Sequence, residues 1–170
     1  MSSMNKLKIA IIGATGYTGL DLVYLLSRHS RIKILYLCAS KNLGKSINSF
    51  DKRITKKLPK ISSINSISWN DLDLVFLSLP NGEAQKIINK TFNKYKQLKF
   101  IDLSADFRIK DLKEYYLNYQ LKHKSPKLIK YAKNNSNLLI TPHVGGSTKE
   151  SIQNARIFMG RKVAKFLSTL

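Results

Sequence analysis

The chain has one cysteine, Cys38. A lone thiol excludes an internal disulfide and a cysteine-based zinc cluster, no residue is assigned to a metal, and a reducing cytoplasm is the expected location. No apolar run reaches the roughly 18 residues that a membrane-spanning helix needs. Met1 to Lys6 is short and polar and runs straight into an apolar stretch, which predicts no secretory signal. Acidic residues are scarce: 10 Asp and Glu stand against 30 Lys and Arg, a net charge of +20. That excess raises nucleic acid as a partner. The lysines, however, are scattered among Asn and Ile. Their densest group, Lys52, Arg53, Lys56, Lys57 and Lys60, falls in an expected loop with no recognition helix or aromatic ladder beside it. The charge reads as a compositional bias that favours phosphorylated ligands, and neither nucleic acid nor membrane is an expected partner.

What is present suffices for one domain, or one domain and a tail: 170 residues, 43% of them hydrophobic. The chain is organised around residues 7–21. Ile9 to Ile12 is a β-branched apolar run of the kind that forms a buried parallel strand. It enters a turn with Gly13, Gly16 and Gly19, and a helical pattern follows with Leu22, Leu25 and Leu26 on one face, ending near His29 and Ser30. Strand, glycine turn and helix together make a phosphate-binding βα turn. Gly13 takes the angles of a sharp turn, Gly16 leaves room for a pyrophosphate, and Gly19 lets the helix pack closely on the strand. The spacing is Gly-x-x-Gly-x-x-Gly, not Gly-x-Gly-x-x-Gly, and a glycine-rich turn without a ligand is the competing reading.

A second strand is expected over Ile32 to Leu37, followed by Cys38, Ala39, Ser40 and Lys41. In a dinucleotide fold this strand end faces the adenine ribose. An acidic residue there suits the 2′-hydroxyl of NAD, whereas a hydroxyl and a cation suit the 2′-phosphate of NADP. No Asp or Glu is near, so Ser40 and Lys41 argue for NADP; two solvated loop residues are the alternative. Residues 42–66 read as loop, with a short strand near Ser66 to Trp69. A strand is expected within Asp71 to Leu79, closed by the turn residues Pro80, Asn81 and Gly82 at a strand's carboxyl end. A helical stripe follows in Ala84, Ile87, Ile88, Phe92 and Tyr95, then a strand at Phe100 to Leu103.

Asp102 to Arg108 gathers two carboxylates, a hydroxyl and a guanidinium at a strand end. Arg108 can grip a carboxylate or phosphate in bidentate fashion; equally, Asp106 and Arg108 can form an ion pair that orders the loop. Asp111 is the expected N-cap of a helix through Tyr119. After the polar stretch 121–137, with its asparagine-rich run as linker, a short strand is expected at Leu138 to Ile140 and a final amphipathic helix over 148–167.

Two resemblances add to this. Gly13-Ala14-Thr15-Gly16-Tyr17-Thr18-Gly19, Ser40-Lys41 with Gly44-Lys45, Leu79-Pro80-Asn81-Gly82, and Ile101 to Arg108 occur in the order seen in the amino-terminal cofactor domain of N-acetyl-gamma-glutamyl-phosphate reductases of arginine biosynthesis. Residues 7 to about 132 resemble that domain. The resemblance implies a Rossmann-type, doubly wound and mostly parallel α/β sheet that binds NADP(H) through Gly13, Thr15, Gly16, Tyr17, Thr18, Gly19, Ser40, Lys41, Pro80 and Asn81. It also implies Asp106 and Arg108 beside an acyl-phosphate substrate. Leu138 to Thr148, with Thr141-Pro142-His143-Val144-Gly145-Gly146, resembles a carboxyl-terminal segment of D-2-hydroxyacid dehydrogenases, where the residue matching His143 is the acid/base; the Arg and Glu that assist it there have no counterpart in this chain. The reductase family attacks its acyl phosphate with a cysteine of a Ser-x-Cys motif, which this sequence does not contain. Cys38, at the end of a buried strand, is rejected as its substitute.

The expectation is therefore an NADP-binding domain over 1–132, a linker at 133–137 and a strand-helix tail over 138–170, inactive alone. A second copy or a complementing chain are the partners left open. A non-catalytic nucleotide- or partner-binding module and a D-2-hydroxyacid dehydrogenase-related fragment are the alternatives.

Overall fold

The computed structural model describes residues 5–109 and 111–134, together with the single positions Lys149, Gln153 and Ile157. The strand β1 (Leu7–Ile12) is its axis. Ile9, Ala10 and Ile11 are wholly buried. Ile9 and Ile11 join the core on one face of the sheet, Ala10 and Ile12 the core on the other. That is the alternation of a strand covered on both sides, and it explains why the run has no polar member after Lys8.

The helix α1 (Tyr17–Ser27) follows, then β2 (Ile32–Cys38), β3 (Ile61–Ser62), β4 (Leu74–Leu77), α2 (Glu83–Thr91), β5 (Lys99–Asp102), α3 (Leu112–Tyr119) and α4 (Pro126–Asn134). The five strands form one sheet in the order β3-β2-β1-β4-β5, and all pairs are parallel. The chain runs outward from β1 to β3, then returns to place β4 on the other side of β1. The order therefore reverses between β1 and β4, and ligands of such sheets bind at the carboxyl ends there. Ile12 pairs with Cys38 on one side and Leu77 on the other. Three strands thus end level and present their following loops to one place.

Several expected boundaries move. The strand expected near Ser66 to Trp69 is absent; the third strand is β3, earlier and only two residues long. Residues Ile64–Ser66 and Trp69–Asp71 form single 3-10 turns instead. The cause is packing: Ile67 is buried, and Trp69 stacks on Tyr95 with ring centroids 6.0 Å apart. The segment crosses the face of the sheet and does not extend its edge. β4 occupies only the middle of the expected 71–79, and β5 begins and ends a residue early. α1 stops at Ser27, where the N–H groups of Arg28 and His29 turn back to the carbonyls of Leu25 and Leu26, each at 3.2 Å. α2 stops short of Tyr95, whose N–H closes a turn on the Thr91 carbonyl at 2.9 Å.

Asp111 caps α3 as expected, its carboxylate accepting from the N–H groups of Lys113 and Glu114 at 2.8 and 2.9 Å. α4 stands where the sequence suggested only a polar connection. Pro126 opens it, at the position where a missing N–H costs nothing, and its own Leu128 and Ile129 are buried. It runs to Asn134, into the expected 133–137 linker. His143, the 138–148 block and the 148–167 helix lie outside the described residues, the three single positions apart.

Candidate functional site

The glycine turn occupies the carboxyl end of β1. Gly13 has φ +87°, and a Cβ there meets the Ser78 carbonyl oxygen at 1.9 Å. Both the left-handed backbone and the close approach of the chain leaving β4 require glycine. The backbone N–H groups of Gly13 and Ala14 donate to the Cys38 carbonyl at 2.9 and 3.0 Å, which ties the turn to the end of β2. Gly19 sits under the turn: a Cβ on it meets the Gly13 carbonyl oxygen at 2.1 Å. Gly16 is different. The nearest atom to its Cβ position is the Gly13 carbonyl oxygen, at 3.5 Å, so protein packing does not demand glycine there. Space in front of the backbone is what its missing side chain provides.

Gly16 is also the N-cap of α1, with extended backbone, no side chain accepting from the first turn, and no acidic residue in that turn. A helix start of this kind presents N–H groups and a partial positive charge to an anion. The contrast with α2 is instructive. That helix starts at the neighbouring strand end, and its N-terminus is already supplied with an anion: the Asp106 carboxylate accepts from the N–H of Gly82 at 2.6 Å and of Gln85 at 3.1 Å. Of these two helix starts beside the switch point, α1 is the one without a carboxylate cap.

Asp106 is fully buried and does not form the loop-ordering ion pair considered for it from sequence. Among the described residues it forms no ion pair with Arg108, whose guanidinium donates instead to the Leu103 carbonyl at 3.0 Å. Besides the α2 N–H groups, its carboxylate accepts from the Tyr115 hydroxyl at 3.1 Å. Burial, and then the Asp106 charge, push the Tyr115 phenol up to about 12, so it keeps the proton it donates. Tyr115 in turn accepts from the Gln85 amide at 2.9 Å, and the Gln85 side-chain oxygen accepts from the Lys124 N–H. The Asp106 carbonyl meets His123 Nε2 at 2.8 Å, while His123 Nδ1 accepts from the Ser125 N–H at 3.0 Å. This polar cluster joins α2, the 103–108 loop, α3 and the start of α4. Burial pushes Asp102 above the usual carboxylate range, against the Ser104 hydrogen bonds that favour its ionised form.

A cleft of about 990 Å³ opens at the carboxyl ends of β1, β2 and β4 and continues along α2. Its size is that of a small-molecule or cofactor site. Of the residues singled out from sequence, Gly13, Thr15, Gly16, Ser40 and Pro80 line it; Tyr17, Thr18, Gly19, Lys41, Asn81, Asp106 and Arg108 do not. Tyr17 points to solvent, 95% exposed. Lys41 is exposed beside Ser40. Cys38 lies on the cleft floor but is 1% exposed, and burial pushes its thiol above the ordinary value, against a smaller opposing effect of the Ser62 hydroxyl. It has the character of a packed residue, not of a thiolate. Sequence reasoning missed the far wall of the cleft. Glu83, Lys86, Ile87, Lys90, Thr91 and Lys94 form it from α2 and the turn after it, and their spacing of three and four was the available signal. Among the described residues no helix is long and apolar enough to cross a membrane, and no group of three His, Cys, Asp or Glu could hold a metal.

Residues 8–151 match the family described as semialdehyde dehydrogenase, NAD binding domain. An N-acetyl-gamma-glutamyl-phosphate reductase of Ehrlichia ruminantium (strain Gardel) is 43% identical over 112 residues, covering 65% of this chain and 32% of that protein. The enzyme of the same name in Ehrlichia canis (strain Jake) is 43% identical over 127 residues, covering 74% of this chain and 36% of that protein. The chain thus spans about a third of the length of the curated relatives it matches. Among solved structures, aspartate semialdehyde dehydrogenase II from Vibrio cholerae shares the fold, with a TM-score of 0.50 and 19% identity over 81% of this chain and 38% of that one. The likeness of 138–148 to D-2-hydroxyacid dehydrogenases finds no support, because the semialdehyde dehydrogenase match runs through that block to residue 151.

Proposed function

The chain belongs to the semialdehyde dehydrogenase NAD-binding domain family, and on that premise we propose that its cleft holds NADP(H) as the cofactor part of an N-acetyl-gamma-glutamyl-phosphate reductase-like oxidoreductase. The uncapped start of α1, at the carboxyl end of the central strand, carries this reading. The N–H groups of Tyr17, Thr18 and Gly19 face the diphosphate, so these positions take part through backbone although none of them lines the cleft. Gly16 gives the diphosphate its approach. Thr15 and Pro80 border it, and Asn81 belongs to the adjoining turn.

Ser40 and Lys41 meet the ribose 2′-phosphate, the hydroxyl from within the cleft and the ammonium from its rim. NADPH when bound supplies a hydride; the chain's own groups bind and orient it. Arg108 uses one guanidinium nitrogen on the Leu103 carbonyl and offers its remaining donors to an anionic substrate group. Asp106 supports that site by fixing the start of α2. No residue is assigned as nucleophile or as acid/base.

Titration with NADPH and NADH, followed through Trp69 fluorescence, tests the reading, since Trp69 lines the cleft. Tighter binding of NADPH is expected, and Lys41→Asp should move the preference toward NADH. Equal affinities unaltered by Lys41→Asp would remove the 2′-phosphate assignment.

A further inference from the structure

The far wall of the cleft carries three lysines, Lys86, Lys90 and Lys94, and their situations differ. Lys86 is held by Glu83, with Nζ 2.5 Å from the carboxylate. The Lys94 ammonium lies over the Tyr95 ring, 5.4 Å from its centroid. Lys90 stands between them, one helical turn beyond Lys86, and among the described residues it has neither an ion pair nor a ring partner. It is exposed and lines the same cleft as Ser40 and Gly16. The Ile64, Trp69 and Ile87 side chains border the cleft between β2 and α2, an apolar setting in which a nearby charge is less screened than in open water.

We propose that Lys90 is a second cation for the adenosine half of NADP(H), closing on its 2′-phosphate from α2 opposite Ser40 and Lys41. This rests on the dinucleotide reading of the cleft. A dianionic phosphate between two walls of a cleft is better neutralised by cations from both sides than by one from the rim. The flexible four-carbon stem of lysine suits a residue that meets its ligand only on binding. Lys86 needs no such role, because Glu83 already neutralises it. Specificity for the phosphorylated dinucleotide is then shared between the β2 loop and α2, and the sequence signal for it is a helical lysine, not a residue adjoining β2.

Lys90→Gln, Lys86→Gln and Lys41→Gln, each in the full chain, separate the roles. Glutamine is a good helix former, so the exposed positions on α2 tolerate it. Each variant is titrated with NADPH and NADH at two salt concentrations. Lys90→Gln should weaken NADPH by about tenfold, the usual scale of one charge-assisted contact. It should leave NADH unchanged and flatten the salt dependence of NADPH binding; Lys86→Gln should change NADPH binding less than Lys90→Gln does. Unchanged NADPH affinity in Lys90→Gln overturns the proposal, and so does an equal loss for both cofactors. A wild-type chain that binds neither dinucleotide overturns the cofactor reading and this assignment with it, whereas NADPH preference lost in Lys41→Gln alone leaves the cofactor reading standing and removes Lys90 from it.

Discussion

Gly13 and Gly16 are three residues apart in one turn, yet their glycines answer to different demands. At Gly13 the protein itself forbids a side chain, through the φ of +87° and the Ser78 carbonyl 1.9 Å from the Cβ position. Gly13→Ala should destabilise the fold by roughly 4 kcal/mol or more, or prevent folding, as backbone overlap of that degree allows no small adjustment; urea denaturation reads it. At Gly16 the nearest atom is 3.5 Å from the Cβ position, and the residue is an N-cap, where alanine costs about 1 kcal/mol or less. Gly16→Ala should therefore melt close to wild type while losing affinity for NADPH. Asp106 makes the opposite point about carboxylates. From sequence it stood either in a loop-ordering ion pair with Arg108 or beside an acyl-phosphate substrate. Its actual partners come from Gly82, Gln85 and Tyr115, and contacts at that separation are not written in local spacing. Asp106→Asn turns an acceptor-only group toward two N–H donors with an amide that can satisfy one, so a loss of about 2–4 kcal/mol is expected in denaturant melts.

Among the elements, those set by local chemistry were readable and those set by distant packing were not. β1 and the glycine turn carry their own pattern, and Asp111 declares α3 by its side chain. Asp111→Ala should cost about 1 kcal/mol, measurable as a shift in the urea midpoint. By contrast, 61–73 has short apolar residues and serines without a period. Only the burial of Ile67 and the stacking of Trp69 on Tyr95 decide that it crosses the sheet as turns. The connection between α3 and α4 is likewise legible only in three dimensions, and it contains a pH-sensitive joint. Because His123 Nδ1 accepts from the Ser125 N–H, the neutral ring donates from Nε2 to the Asp106 carbonyl. Burial pushes the His123 ring below its ordinary value near 6.5, against the opposing pull of the Asp106 carbonyl and charge. A folded-state value below the unfolded one means that its contribution to stability is present above about pH 6.5 and is lost as pH falls through the depressed value. Urea midpoints at pH 7.5 and pH 5 should fall further apart in wild type than in His123→Gln.

At the scale of the molecule, the parallel sheet in the order β3-β2-β1-β4-β5 brings separate pieces of sequence to one edge. The glycine turn, the Ser40 loop, the Pro80 turn and the α2 wall share a single cleft. The alternation of strands and helices made the sheet legible beforehand. Its order made the cleft, and Lys90 could be assigned to it only once α2 was seen to form the cleft's far wall. The curated relatives are longer proteins, of which this chain spans about a third. For this chain we propose a narrower role, in which the bare start of α1 seats a dinucleotide diphosphate. The most direct test pairs wild type with Gly16→Val in one NADPH titration, with the melting temperature of each measured first without ligand. Such a seat predicts similar melting, saturable binding in wild type and no binding in Gly16→Val. Equal binding by both, or none by wild type, would contradict it.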